Sequence, residues 1–247
     1  MAEAFVKSDA RYQEMVDAAS KASGIDMNKL LFEPNEDINI TENTQPALVT
    51  ACCIITEALL KAGVKPEVTA GLSLGEYCSL YVAGALNFED AVRLTRIRGR
   101  LMSSEVPAGE GSMAAIIGLK QEEVESVTNT IENVWPANFN CPGQIVITGK
   151  KEAVREAMPK LEEAGAVKVV ELNVSGPFHS PLLKEQVYSP VKWEQTLYEL
   201  EKMGVDTIVE VGPGRTIAGF VRKTVPSIKV IGVSTPEDIE KLLEKIG

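Results

Sequence analysis

Between residues 112 and 174 the sequence changes period in an order that few folds satisfy. "SMAAIIGL" reads as a strand and "QEEVESVTNTIE" as a helix. "VWPANFN" and "QIVITG" are strands separated by the turn signal Cys141-Pro142-Gly143, "KEAVREAMPKLEEAG" is a helix, and "VKVVELNV" is a strand. A β-α-β-β-α-β order of about sixty residues predicts a ferredoxin-like α+β subdomain. On either side the alternation is α/β. Before it come a helix over residues 9–23, with Tyr12, Met15, Val16 and Ala19 at helical spacing, and a helix from "TQPAL" to "KAGVKP" with Pro46 suited to its first turn. A short strand "VTAG", a helix from about Leu74, and a helix through "AVRLTRIRGRLM" capped by Asn87 and Asp90 follow. After it come a helix over 193–203, the strands "TIVEV" and "KVIGV", a helix from about Thr216 between them, and a last helix capped by Ser234 and Thr235. The reading is a discontinuous large α/β domain, residues 1–111 and 173–247, with a small subdomain, residues 112–172, inserted in it.

The chain has 247 residues, 45% of them hydrophobic and 24% charged, which is ordinary for a globular protein. No apolar run reaches the roughly 20 residues of a membrane helix, and "MAEAFVKSDARYQ" does not read as a signal peptide. Cys52, Cys53, Cys78 and Cys141 show no metal-ligand spacing, and Cys52 and Cys53 sit mid-helix in apolar company, which suggests reduced thiols and a cytoplasmic location. A net charge of −10 argues against general affinity for nucleic acid and requires a local basic patch for any acidic ligand. There is one histidine, His179, so any mechanism that needs an imidazole must use it.

Ser73 lies in "GLSLG", between a predicted strand and a predicted helix. That is the setting of a nucleophile elbow, where glycines let the backbone double back and present the serine oxygen at the carboxyl end of a strand. The start of the next helix offers N–H groups to an oxyanion, with Leu74 the first candidate. The plain alternative is a tight β-α turn without chemistry. A serine nucleophile needs a base, and His179 follows it in "NVSGPFHSPLL", the serine-before-histidine order of α/β-hydrolases. No acidic residue announces itself as a third member. Arg93, Arg96, Arg98 and Arg100 share one helix, and charge alone does not say which turns inward to form a carboxylate-binding fork.

"TQPAL", "GLSLGEY", "DAVRLTRIRGRLM", "GSMAAIIGL", "NFNCPGQIVITG", "FHSPLL", "YSPVKW" and "EVGPG" occur in the order found in malonyl-CoA:acyl-carrier-protein transacylases, and the resemblance spans almost the whole chain. The resemblance implies an α/β-hydrolase-like parallel-sheet domain with the inserted ferredoxin-like subdomain, and a ping-pong transfer. Ser73 would take malonyl from coenzyme A, with His179 as base, and hand it to the phosphopantetheine thiol of acyl carrier protein. By resemblance, Arg98 holds the malonyl carboxylate and a backbone carbonyl at Gln186 orients His179. Asn138 matches a family residue that lines the cleft between the domains, and Phe178 resembles the bulky residue that disfavours α-branched acyl groups. Malonyl-CoA is then a substrate and no metal or other cofactor is expected. The partners are acyl carrier protein and malonyl-CoA, without nucleic acid or membrane, and the chain is expected to be a monomer. Lys184, Lys192, Arg215, Arg222 and Lys223 are the expected docking face for the acidic carrier.

The sequence departs from the family pattern at Leu72, where many members have histidine. It also lacks a "FPGQGSQ"-type loop, whose glutamine donates a second oxyanion N–H. Lys184 runs straight into Glu185, where the family carries several dozen residues. Two other functions remain open on sequence: a serine esterase or thioesterase with the same Ser-His pair, and a truncated, weakly active homologue that binds carrier protein.

Overall fold

The computed structural model describes residues 1–106, 109–172, 174, 176–183 and 188–246. In chain order the elements are α1 (Glu3–Ser8), α2 (Ala10–Ser23), α3 (Met27–Phe32), a 3-10 turn (Asp37–Asn39), α4 (Thr41–Lys61), α5 (Gly75–Val82) and α6 (Phe88–Ser104). Then follow β1 (Gly111–Ile117), α7 (Gln121–Thr128), β2 (Val134–Cys141), β3 (Gln144–Lys150), α8 (Lys151–Glu163) and β4 (Lys168–Glu171). The chain ends with α9 (Trp193–Lys202), β5 (Thr207–Val211), α10 (Thr216–Thr224), β6 (Lys229–Val233) and α11 (Pro236–Ile246). The fold is mixed α/β. Two compact units can be told apart, one of Met1–Gly99, Asp206–Gly219 and Ile228–Gly247, the other of Arg100–Val205 and Phe220–Ser227.

In the first unit, α4 is the central helix and buries Val49, Cys53, Ile54 and Leu59 against Val16, Met27, Val92 and Leu242. Pro46 stands inside α4, in its second turn, and not in the first turn where it was expected. A proline has no N–H, so the carbonyl four residues back, Glu42, loses its helical donor. Arg96 supplies one: its Nη1 donates to Glu42 O at 2.8 Å and to Asn43 Oδ1 at 2.7 Å. The Asn87–Asp90 cap forms reciprocally, with Asp90 N–H donating to Asn87 Oδ1 and Asn87 Nδ2 to Asp90 Oδ2, each at 2.8 Å. The "EVGPG" motif caps α10, since the Glu210 carboxylate accepts from the Ile217 and Ala218 N–H groups at 2.8 and 3.1 Å. At α11 the cap is not the Ser234 or Thr235 side chain but the Asp238 carboxylate, which accepts from both of their N–H groups.

The parallel sheet of this unit is narrower than the sequence suggests. β5 and β6 pair in parallel from Thr207↔Lys229 to Val211↔Val233. Residues 68–71, expected as the strand before Ser73, enter no ladder among the described residues. A strand is defined by a paired neighbour, and a β-prone run without one is only connecting chain. Cys52, Cys53, Cys78 and Cys141 are free thiols. A hydrogen bond with Cys78, together with burial, pushes the Cys52 thiol well above its ordinary value, which keeps it protonated.

In the second unit the order β1-α7-β2-β3-α8-β4 builds a four-stranded sheet, β2-β3-β1-β4, with every neighbouring pair antiparallel. Ile116, Ile147, Val154 and Leu161 are fully buried between the sheet and the helices α7 and α8. β2 is irregular, with register shifts between Pro136 and Asn138 and between Phe139 and Cys141. β4 runs to Glu171, and Leu172 and Val174, which its sequence pattern included, lie outside it.

Arg96 and Pro46 should be energetically coupled. Arg96→Met is expected to lower stability by about 1–3 kcal/mol through the stranded Glu42 carbonyl. In a Pro46→Ala background, where residue 46 regains an N–H, that loss should fall by at least about half. Urea unfolding of the four proteins of the cycle tests this, and equal losses in both backgrounds would refute it.

Candidate active site

Ser73 has φ 51°, the left-handed region that a residue with a Cβ rarely occupies. The turn around it is closed by Gly75 N–H to Leu72 O at 2.9 Å, Glu76 N–H to Ser73 O at 3.3 Å and Tyr77 N–H to Leu74 O at 3.2 Å. The Leu74 N–H is in none of these bonds and precedes the first residue of α5. The two glycines of the motif are not equivalent. A Cβ on Gly71 would lie 1.9 Å from the Gly75 carbonyl carbon, whereas one on Gly75 would meet nothing within 4 Å. Gly71 is what lets the chain fold back tightly enough to hold Ser73 in its strained conformation.

Of the four arginines on α6, the fold buries Arg98. Arg93 and Arg100 are exposed, Arg93 on an ion pair with Asp90, and Arg96 is committed to the start of α4. Arg98 shares its buried face with Val92 and Thr95, and only 5% of its surface is exposed. Its Nη2 donates to Ser73 Oγ at 2.9 Å, its Nη1 donates to Gln45 Oε1 at 2.6 Å, and its guanidinium carbon stands over the Tyr77 ring, 5.9 Å from the centroid. Among the described residues no carboxylate pairs with it. Burial pushes its pKa below the ordinary guanidinium value, opposed by Coulombic interaction with Glu76 and, once ionised, with Tyr77. Burial likewise pushes the Tyr77 hydroxyl up. Gln45 and Tyr77 went unassigned on sequence although both lie in quoted motifs, "TQPAL" and "GLSLGEY". Neither residue type signals a contact with a cation 21 or 53 residues away.

His179 also has a left-handed backbone, φ 58°. The turn is pinned from both sides. Ser180 Oγ donates to Pro177 O at 2.6 Å, Leu183 N–H donates to Ser180 O at 3.1 Å, and a Cβ on Gly111 would lie 2.2 Å from Pro177 Cδ. The imidazole Nδ1 lies 3.1 Å from the Ser189 carbonyl. A carbonyl only accepts, so Nδ1 carries the proton and neutral His179 keeps Nε2 as its acceptor. Gln186, the residue expected to orient the histidine, lies outside the described residues, as does the Lys184–Glu185 junction. The Ser189 carbonyl is placed by its neighbours. Val191 bridges to Asn138, with Val191 N–H donating to Ala137 O at 2.7 Å and Phe139 N–H to Val191 O at 2.8 Å. Asn138 is buried in β2 at its register shift, and Phe178 packs against the cluster of Met113, Ala137 and Val146. Ser73, Leu74 and Arg98 thus belong to the first unit, and Asn138, Phe178 and His179 to the second.

An acyl transferase domain matches residues 1–187. The malonyl CoA-acyl carrier protein transacylase of Bacillus subtilis strain 168 is 37% identical over 281 aligned positions, which take in 95% of this chain and 89% of the relative. The chain belongs to this transacylase family. The aligned length exceeds the 247 residues of the chain, so the relative carries residues that this chain lacks. Two solved structures agree. The malonyl CoA-acyl carrier protein transacylase of Clostridium perfringens has a TM-score of 0.94 at 34% identity, with 100% of this chain and 92% of that one covered. A malonyl-transacylase in complex with its type II PKS acyl-carrier protein has a TM-score of 0.94 at 31% identity, with 99% and 94% covered. Family members therefore share this arrangement of α/β elements over nearly their full length.

The asymmetry of the two elbow glycines gives a direct test. Gly71→Ala should abolish acylation of Ser73 by a serine-directed reagent, with a fall in melting temperature. Gly75→Ala should keep both near the unmodified protein, because an alanine at the first turn of a helix is unstrained. Equal effects of the two substitutions would contradict the steric account.

Proposed function

We propose that this chain transfers a malonyl group from coenzyme A to the phosphopantetheine thiol of acyl carrier protein through a malonyl-serine ester. The observation that carries the proposal is a buried guanidinium, without an ion-pair partner among the described residues, 2.9 Å from the hydroxyl of a strained elbow serine. An unpaired buried charge costs several kcal/mol unless something answers it. A free carboxylate one methylene away from the acyl carbonyl would answer it while the carbonyl carbon sits at Ser73. The cation selects the acyl group and not its acceptor; transfer to a carrier thiol in place of water is supported by the transacylase relatives, one of them solved in complex with its carrier protein.

In the proposed cycle Ser73 Oγ attacks the thioester carbonyl and its proton passes to His179 Nε2. The choice of base follows from His179 being the chain's only histidine, and the Ser189 carbonyl supports the required tautomer. The oxyanion develops against the Leu74 N–H, at the start of α5. As the tetrahedral intermediate collapses, the C–S bond breaks and the imidazolium protonates the leaving thiolate of coenzyme A. The second half-reaction runs the same path with the carrier's thiol as nucleophile. That thiol gives its proton to His179, and Ser73 leaves with it. Arg98 holds the malonyl carboxylate throughout. We assign Phe178 and Asn138 to the acyl site by resemblance; Phe178 precedes His179 in the chain, and Asn138 is buried in β2. The chemistry needs no cofactor beyond the two acyl carriers. Among the described residues no cluster of three or more His, Cys, Asp or Glu side chains could hold a metal.

The finer fold reading is part of the proposal. The antiparallel β2-β3-β1-β4 sheet supports a ferredoxin-like subdomain at 112–172, inserted in an α/β-hydrolase-like domain of 1–111 and 173–247. No described helix is long and apolar enough to cross a membrane, and we place the activity in the cytoplasm. The solved complex of a relative with its carrier protein supports the same class of partner here. We assign its acidic surface to the positive side chains Lys192, Arg215, Arg222 and Lys223, together with Lys184, which lies outside the described residues, with the chain acting as a monomer.

Intact-mass measurement after incubation with malonyl-CoA should show one malonyl adduct that Ser73→Ala eliminates. Arg98→Met should reduce the ratio of malonyl to acetyl labelling by about 10²-fold or more, the scale of a lost charge-assisted pair of about 3 kcal/mol. An adduct that persists in Ser73→Ala, or an unchanged ratio in Arg98→Met, would overturn the assignment.

A further inference from the structure

Arg98 is a long side chain with four rotatable torsions, yet a carboxylate-holding group must keep one orientation through the whole cycle. Its guanidinium has three partners: Gln45 Oε1 on Nη1, Ser73 Oγ on Nη2, and the face of the Tyr77 ring, 5.9 Å from the centroid to the guanidinium carbon. The support from Ser73 does not last. When Ser73 becomes an ester its oxygen is a far weaker acceptor, so the Nη2 contact loosens at the stage where the malonyl carboxylate is attached. A planar group tied along one remaining edge can still swing about that edge. The attraction of the cation to the face of the Tyr77 ring is the second restraint that outlasts acylation and opposes the swing.

We propose that Tyr77 is a positioning residue for the acyl carboxylate, acting through Arg98 by the face of its ring. The inference rests on the malonyl-transfer reading of the site. Tyr77 is buried and stands four residues after Ser73, in the first turn of α5. The elbow and the platform are thus parts of one short rigid stretch, "SLGEY", and the distance between the attacked carbonyl and the held carboxylate follows from local backbone geometry. Burial strengthens the contact, because a desolvated guanidinium gains more from an aromatic face than a hydrated one. The part invoked is the face of the ring, which phenylalanine also has.

The test compares Tyr77→Phe, which keeps the face, with Tyr77→Leu, which removes it. The readout is the ratio of malonyl to acetyl labelling of Ser73, with KM and kcat for malonyl-CoA. Both acyl groups use the same serine, so general damage to the elbow lowers both rates and leaves the ratio unchanged. Tyr77→Phe should hold the ratio within about twofold, and Tyr77→Leu should lower it about tenfold, mainly through KM. A second measurement is competition by free malonate against acetylation of Ser73 by p-nitrophenyl acetate, where Tyr77→Leu should weaken malonate about tenfold. A ratio retained in Tyr77→Leu, an equal loss in Tyr77→Phe, or unchanged malonate competition would each refute the role. If malonyl-CoA leaves the unmodified protein unlabelled, the transfer reading fails by itself. The malonate competition then still decides whether Tyr77 positions Arg98 for a carboxylate.

Discussion

A guanidinium held out of water by neutral partners is the constraint on which the first unit depends. Arg98 is met by an amide oxygen, a hydroxyl and an aromatic face, each from a different part of the chain. Those contacts require α4, the elbow with α5, and α6 to converge within hydrogen-bonding distance. A carboxylate in the place of Gln45 would stabilise the cation better and leave a ligand nothing to add. Neutral acceptors satisfy its N–H groups while leaving its charge available, a compromise that fits a binding site better than a structural ion pair. The neighbouring Arg96 shows the contrasting case. Its charge is spent on the Glu42 carbonyl freed by Pro46, with the Glu42 carboxylate 3.3 Å away.

Two strained backbone positions belong to the proposed site; Ala2 and Asn133 are the other described non-glycine residues with positive φ. Ser73 and His179 both occupy the left-handed region, at a cost of about 1–2 kcal/mol each for residues with a Cβ. Such conformations persist only where their surroundings over-determine them. At Ser73 this is done by the bare backbone of Gly71 against Gly75. At His179 it is done by the Ser180–Pro177 hydrogen bond and by Pro177 lying where a side chain on residue 111 would be. Two different local devices therefore hold the proposed nucleophile and the proposed base in conformations that neither residue type favours.

Much of the second unit was legible because its signals are local. Alternation of apolar residues, one proline-glycine turn and two amphipathic helices sufficed to predict β1-α7-β2-β3-α8-β4, and the Asn87–Asp90 cap was readable from spacing alone. Errors arose where a local pattern needed a distant partner. The run at 68–71 is β-prone but unpaired. Pro46 sits where a helix tolerates it only because Arg96 reaches across. The Ser189 carbonyl at His179 carries no sequence signature, since every residue has a carbonyl and only the bridge of Val191 to β2 singles this one out.

By itself, then, the sequence determined the glycine-framed serine, the single histidine, the element order of the smaller sheet, and membership of an acyltransferase family. These depend on residue type and short-range spacing, which a linear chain displays directly. Residue type left the four arginines alike and only the family resemblance pointed to Arg98; that it is buried, and that Gln45 and Tyr77 hold it, was decided only in three dimensions. Burial is a property of how helices pack, and a cation's partners are whatever that packing brings within about 3 Å for a hydrogen bond or about 6 Å for an aromatic face.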